Sequence, residues 1–505
     1  MKNLLFFLLI LLLWSCNQQP KANDTATQAP NIIFIMGDDH TTQAISAYGG
    51  IFAEYAQTKN IDQLAAEGMR FDNVFCTNSI CSPSRATILT GKYSHKNGVR
   101  ILGQDFDGSQ FTVQSALGKV GYQTAVFGKW HLRSTPTGFD QYKVLPVQGR
   151  YQDPQFHVSG VDSLVTFPGW STDVITQMTV DFLENRNTEQ PFFVMTHYKT
   201  THDPWSSRPP YDTLWQNEKL PEPANLYDEY NNRSEAARRT TLKLEMMNQS
   251  TYPHHRLENA TWKEQRGHIY QQYIKSFLRC GRVLDENVGK LIAYLKSAGL
   301  YDNTIIIYTA DQGHFLGEHG FFSKRFMYDE ALRMPLIIRY PDWVNAGSTN
   351  QDMIINADFA PTILEIAGQD IPKDIQGRSF LGNLKGQTPS DWRQAIYYHY
   401  WQHILHRDVA AHIGIRTKEN KLIFYYGLPL GQTDKASTPP EWELFDLIKD
   451  PSEMNNVYND PAYAETVQSL KEQLKALQIL YDDEGLEYPE MVRVQEEYFW
   501  VEGRG

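Results

Sequence analysis

The chain is poor in cysteine. Four cysteines in 505 residues exclude a disulfide-stapled scaffold, and a chain of this length can bury a core without one. Positive charge is also short: 47 Lys and Arg against 59 Asp and Glu leave a formal net charge of −12. That argues against nucleic-acid binding, which needs a basic surface. It leaves room for an anionic ligand, because one pocket can be positive on a negative molecule. After the N-terminus no apolar run is long enough to cross a bilayer, and no internal repeat is present. What remains is a composition 41% hydrophobic and 21% charged, that of a globular chain, whose length fits one large domain plus a smaller one or two to three average domains.

The N-terminus reads MKNLLFFLLILLLWSCNQQP. Lys2 precedes an apolar stretch, Leu4 to Trp14, too short to span. Leu13-Trp14-Ser15-Cys16 resembles the lipobox of bacterial lipoproteins, although Trp14 is bulkier than that pattern carries. The expectation is a leader over 1–15, lipid on Cys16, a polar tether over 16–30 and anchorage at a bacterial cell envelope; an ordinary cleaved signal peptide is the alternative. Three cysteines then remain. Cys280 lies on the stripe Ile269, Tyr273, Phe277, Cys280, Leu284, Val288, which has helical spacing and predicts a buried thiol. A bridge between Cys76 and Cys280 stays open.

Several short apolar runs end in polar residues able to do chemistry. NIIFIM leads into Asp38, Asp39 and His40; QTAVF into Lys129 and His131; PFFVMTH into Lys199, His202 and Asp203; NTIIIYTA into Asp311, Gln312 and His314. Helix-like stretches, such as 60–68 and 271–299, lie between them. This alternation predicts an α/β fold, with a large, mostly parallel sheet sandwiched by helices. Ligands bind at the carboxyl ends of strands in such sheets, so the four clusters are expected to converge. Residues 206–268 read as a long polar excursion, and runs such as AIYYHYW, HIGIRT, KLIFYYG and WELFDL as a small antiparallel sheet. The expected division is a main domain over 31–373 and a C-terminal subdomain over 374–505, closed by a helix over 461–477.

One segment is unusual: CSPSRATILTG, residues 81–91. Ser82 suits an N-cap and Pro83 the first helical position, which places Cys81 at the positive end of a helix dipole with Arg85 one turn on. A thiol nucleophile paired with a histidine and a merely buried cysteine both fit. The segment also matches the Cys-x-Pro-Ser-Arg…Leu-Thr-Gly signature of type I sulfatases, and the resemblance extends from about Asn31 to Tyr458. In that family a maturation enzyme oxidises the cysteine to formylglycine. One hydroxyl of the hydrated aldehyde attacks sulfur, and the other collapses to expel sulfate.

The resemblance implies the rest of the site. Asp38 and Asp39, with Asp311, Gln312 and the oxidised Cys81, would hold a metal through oxygen, calcium first and magnesium second. The family often has Asn or His where Gln312 stands, which puts the geometry of that ligand in question. Arg85, Lys129 and Lys324 would neutralise the sulfate, His202 would serve as general acid and His131 would act on the diol. His40, His197 and His314 receive no role.

The implied substrate is a sulfated carbohydrate. Ulvan and other algal glycans come first, and N-acetylglucosamine-6-sulfate glycans second. The alternatives are a phosphodiester or phosphonate monoester hydrolase of the same superfamily, and a surface lipoprotein that binds glycans without turnover.

Overall fold

The computed structural model describes residues 29–250 and 252–499, so the expected leader, Cys16 and most of the tether lie outside the described residues. Ten strands form one sheet. In chain order they are β1 (Asn31–Gly37), β2 (Met69–Phe71), β3 (Gln123–Lys129), β4 (Gln141–Leu145), β5 (Gln155–Val158), β6 (Val161–Thr166), β7 (Phe192–His197), β8 (Thr304–Ala310), β9 (Leu336–Arg339) and β10 (Ser348–Asn350). Their spatial order is β10-β2-β9-β8-β1-β7-β3-β4-β5-β6. The middle five, β8 to β4, are all parallel. Both edges carry antiparallel pairs: β9 with its two neighbours on one side, and the β4-β5-β6 meander on the other.

The central strands are apolar throughout because both faces are covered. Along β1, Ile32, Phe34 and Met36 join one core and Ile33 and Ile35 the other, as period-two alternation requires. On the Ile33 side lie α1 (Lys59–Glu67), α4 (Ser171–Glu184) and α5 (Trp262–Ser297), through Leu64, Ile175, Leu284, Val288 and Leu291. On the other side lie α2 (Cys81–Thr90), α3 (Val113–Lys119) and α6 (Phe359–Ile366), through Ile88, Leu117 and Ile363.

The long helix α5 starts nine residues before the expected 271. Thr261 and Glu264 form a capping box there: the Glu264 N–H donates to Thr261 Oγ1 at 3.3 Å and the Thr261 N–H to Glu264 Oε2 at 2.9 Å. Much of the excursion before it is irregular chain that packs Leu220, Leu226, Leu244 and Met247 onto α5.

The small sheet is antiparallel in the order β11 (Ala395–Tyr400), β12 (His412–Thr417), β13 (Asn420–Tyr425) and β14 (Glu441–Asp446). Helix α7 (Ala464–Leu480) packs on it, three residues later at each end than expected. Tyr398 of β11 links it to the main sheet's loops. Its hydroxyl donates to Arg325 O at 2.8 Å and accepts from the Ser79 N–H at 3.1 Å, two residues before Cys81.

Candidate active site

Four parallel strands deliver polar groups to one place. β1 runs into Asp38 and Asp39, β8 into Asp311 and Gln312, β3 ends on Lys129, and β7 ends on His197 before Lys199 and His202. The fifth contribution is α2, all ten residues of which are buried. It begins at Cys81, with Ile80 in extended geometry before it, and not at Pro83 with a Ser82 cap. The reason is local: the Ser82 hydroxyl donates to His131 O at 2.6 Å and so is spent on another segment. Pro83 stands third in the helix, still within the turn where its missing N–H costs nothing. Ser84 donates to Asp311 O, and Gly91 ends the helix at φ 68°, its N–H on Thr87 O at 2.8 Å. The serines and the glycine of the segment thus fasten α2 across the strand ends.

Cys81 Sγ lies 3.7 Å from Asp38 Oδ1 and 3.8 Å from Lys129 Nζ. Arg85 donates from Nε to Asp311 Oδ2 at 3.0 Å and brings a second nitrogen to 3.5 Å from Asp38 Oδ1. Asp39, at φ 66°, turns its N–H onto Asp311 Oδ1 at 3.1 Å. Lys129 is paired with Asp38, and Lys324 with Asp39. One oxygen each of Asp38, Asp39 and Asp311 lies within 4.8 Å of the others, and so do Asp38, the Cys81 thiol and a His202 nitrogen.

Such crowding shifts protonation. Burial pushes the Asp38 carboxyl up, but Lys129, His202 and Arg85 outweigh it and hold the group far below the carboxylate range. Asp39 is held down in the same way by Lys324, His202 and His314. Asp311 keeps the repulsion: burial and the Asp38 charge raise it to about 6 despite Arg85. Gln312 donates from Nε2 to Asp39 and Asp311 while its Oε1 is buried without a partner. Exchanging the two ends of that amide aims a carbonyl at the point the carboxylates share. Three carboxylates and one amide oxygen fit a hard divalent cation.

His202 holds Nδ1 3.2 Å from Asp203 Oδ1 and Nε2 4.0 Å from Asp39 Oδ2. Burial lowers this imidazole, but Asp203 and Asp38 carry it up to about 9. His131 goes the other way: burial, Lys129 and Arg85 push it well below its usual value, and its buried Nδ1 has no partner. His314 accepts the Ser323 N–H on Nε2, so Nδ1 carries the proton and faces Asp39 Oδ2 at 3.4 Å.

The other two histidines stand back. His197 donates from Nδ1 to Lys129 O at 3.3 Å and packs edge-on to Phe34, while His40 bonds the Tyr308 hydroxyl. The sequence places Lys199 and Asp203 in the polar cluster that follows β7 but gives neither a role. Lys199 is buried, pushed down to about 8 by burial and Lys129, with Nζ 3.0 Å from Asp203 O and 4.9 Å over the Tyr151 ring. The signal was adjacency, since Asp203 follows His202 directly. Cys76, Cys81 and Cys280 are all free, so the open 76–280 bridge is not made, and Cys280 is the buried thiol that its stripe predicts, raised by burial to about 12.

The sulfatase family model matches residues 30–369. The chain belongs to the sulfatase family. A second model, N-sulphoglucosamine sulphohydrolase, C-terminal, matches residues 317–479 of this sulfatase. An N-acetylglucosamine-6-O-sulfatase of Bacteroides thetaiotaomicron is 41% identical, covering 95% of this chain and 91% of its own. A solved structure in complex with its substrate, D-glucosamine-2-N,6-O-disulfate, is 41% identical with a TM-score of 0.83, covering 90% of this chain and 99% of its own. An ulvan-active sulfatase of Formosa agariphila is 25% identical over 90% of this chain and 83% of its own. The protein is a sulfuric ester hydrolase.

Proposed function

We propose that this sulfatase removes 6-O-sulfate from N-acetylglucosamine or glucosamine residues of a sulfated glycan, with formylglycine made from Cys81 by a maturation enzyme and a divalent cation, calcium first, at the aspartates. The observation that carries the substrate is 41% identity to an N-acetylglucosamine-6-O-sulfatase over nearly the whole chain, against 25% to an ulvan-active one. The expected preference for ulvan therefore yields to the second expectation. The cation would be held by Asp38, Asp39, Asp311 and Gln312, and bound there it would supply positive charge to the nucleophile and the ester oxygens. The formylglycine hydrate would supply the hydroxyl that attacks sulfur.

The chain's own residues do the remaining work. Lys129 and Lys324 end on the site carboxylates Asp38 and Asp39, where their charge would also meet an anionic ester. Arg85 fixes Asp311 and Asp38 against α2. His202, protonated at neutral pH, donates to the departing sugar oxygen, and Asp203 orients its ring. His131, kept neutral, accepts a proton beside Cys81. Lipid on Cys16 and envelope anchorage belong to the same reading and rest on the sequence alone.

The test is the mass of the Cys81 peptide after expression with a formylglycine-generating enzyme, followed by sulfate release from N-acetylglucosamine-6-sulfate and from ulvan oligosaccharides. An aldehyde at Cys81 with release from the glucosamine substrate is expected. An untouched thiol, in a host that matures a control sulfatase, would reject the mechanism, and release from ulvan alone would reject the substrate.

A further inference from the structure

His131 is held at both its backbone and its ring. The backbone sits at φ 57°, and its carbonyl accepts the hydroxyl of Ser82, the neighbour of Cys81, at 2.6 Å. The ring meets a side chain that the proposed reaction leaves unused: Gln148, whose Nε2 lies 3.2 Å from His131 Nε2. Gln148 belongs to the turn after β4, which the Gly149 N–H closes on Pro146 O at 2.8 Å. The same segment reaches the second histidine. Three residues on, buried Tyr151, stacked on Trp170, donates its hydroxyl to His202 O at 2.6 Å. Residues 148–151 therefore touch both groups assigned to proton transfer.

Two nitrogens bond only if one donates and the other accepts. If the Gln148 NH2 donates to His131 Nε2, the imidazole proton sits on Nδ1. Both that Nδ1 and Gln148 Oε1 are then buried without a partner. If the amide ends are exchanged, Oε1 accepts from Nε2–H and Nδ1 is left as a bare lone pair. Each arrangement leaves one buried donor unmatched; they differ in where the unmatched acceptor lies. On the amide it does nothing, whereas on the imidazole it can take a proton. Buried polar atoms without partners are costly, which favours the arrangement that uses one. The charges facing the ring suit that use. Lys129 from β3, Arg85 from α2 and His202 beyond β7 join burial in keeping it neutral, against Asp38 beyond β1.

We propose that Gln148 is a positioning residue that sets the tautomer of His131: its carbonyl accepts Nε2–H and leaves Nδ1 to take a proton from a hydroxyl of the oxidised Cys81. The O–H bond breaks with its electron pair left on oxygen, an N–H bond forms at Nδ1, and the resulting imidazolium keeps its Nε2–H on Gln148. This inference rests on the role given to His131 in the proposed reaction.

The first measurement needs no substrate. It is the ring nitrogen NMR spectrum of the matured wild type, labelled with ¹⁵N in histidine, with His131→Gln identifying the His131 signals. A proton on Nε2 and a bare Nδ1 are expected, and a proton on Nδ1 overturns the proposal. The second measurement compares wild type, Gln148→Leu and Gln148→Glu on N-acetylglucosamine-6-sulfate. Gln148→Leu is expected to lower kcat by about tenfold or more, with little change in KM or melting temperature. Gln148→Glu keeps an acceptor for Nε2–H, so it is expected to recover much of that rate. Its charge also raises the His131 pKa, so the acid limb of its kcat profile moves to higher pH. An unchanged kcat in Gln148→Leu, or an unmoved acid limb in Gln148→Glu, overturns the proposal. If Gln148→Leu does not fold, the wild-type spectrum and the Gln148→Glu profile decide. If the wild type releases no 6-sulfate, the substrate reading fails, and the spectrum still decides the tautomer.

Discussion

At the scale of single residues the site depends on side chains that have no slack. Gln312 gives the clearest test, because its unpartnered Oε1 is the atom the cation reading needs. Gln312→Leu keeps the volume and removes the oxygen, so it is expected to weaken metal binding about 10-fold or more, read as the concentration of calcium that restores activity after chelation. Gln312→Asn keeps a carbonyl on a shorter stem and is expected to lose less. Chelation of the matured wild type is expected to abolish turnover, with calcium restoring more of it than magnesium. If chelation changes nothing, the three aspartates bind no essential cation. His202→Gln is expected to lower kcat by about 10² to 10⁴-fold with an unchanged melting temperature, because only proton donation is removed. A loss confined to KM would make His202 a binding residue instead.

At the scale of elements, what could be read in the sequence follows from how local its cause is. The strands were legible because a sheet covered on both faces demands apolar runs, and their polar ends were legible because nothing apolar belongs there. The start of α2 was misread by two residues because Ser82 bonds His131 O, a partner invisible without the fold. The early start of α5 had a local signal in Thr261 and Glu264, masked by the polar excursion before it. The β4-β5-β6 meander was missed because β6 is mostly exposed and shows no apolar alternation. Of the candidate site, Cys81, Arg85 and the aspartates were legible through the signature and the strand ends, and Lys324 through the later matching segment; Lys199 and Asp203 were legible only as polar residues past a strand end, because they act through neighbours. The end of α2 gives the test at this scale. A methyl at Gly91 would sit 2.8 Å from Ile375 Cγ2 at a φ of 68°, so Gly91→Ala combines strain with a clash. It is expected to destabilise the protein by about 1–3 kcal/mol, read from the denaturant midpoint, and to lower kcat by displacing Cys81. Unchanged stability would mean that the turn reforms around the methyl at no cost.

At the scale of the whole molecule, the question is what holds the C-terminal part against the part that carries the chemistry. One apolar cluster runs from Phe34 and Ile88 through Phe359 to Ile396 and Leu444, so the two sheets share buried surface. A polar knot fixes their relative position. Asp483, 4% exposed, accepts from His399 Nδ1 at 2.8 Å and from the Tyr397 hydroxyl at 3.0 Å, and faces His95 Nδ1 at 3.2 Å. His95 lies just after the end of α2 and also reaches Tyr481 O at 2.7 Å. Burial pushes Asp483 up, but His399 and His95 hold it well below its ordinary 3.8. Its contribution to stability is therefore full above the unfolded value and is lost as pH falls toward the depressed folded one. His399 is lowered by burial from 6.5, so the unfolded chain takes up that proton first and its stabilising contribution starts to decline below about 6.5. Both slopes have the same sign. Thermal unfolding is expected to be one cooperative transition whose midpoint falls on acidification from pH 7 to pH 3. Asp483→Asn removes the charge and leaves buried donors unmatched, so it is expected to cost about 3–5 kcal/mol at pH 7 and progressively less as the pH is lowered. A variant with the wild-type midpoint at pH 7, or one whose deficit grows on acidification, would show that the apolar cluster alone joins the two sheets.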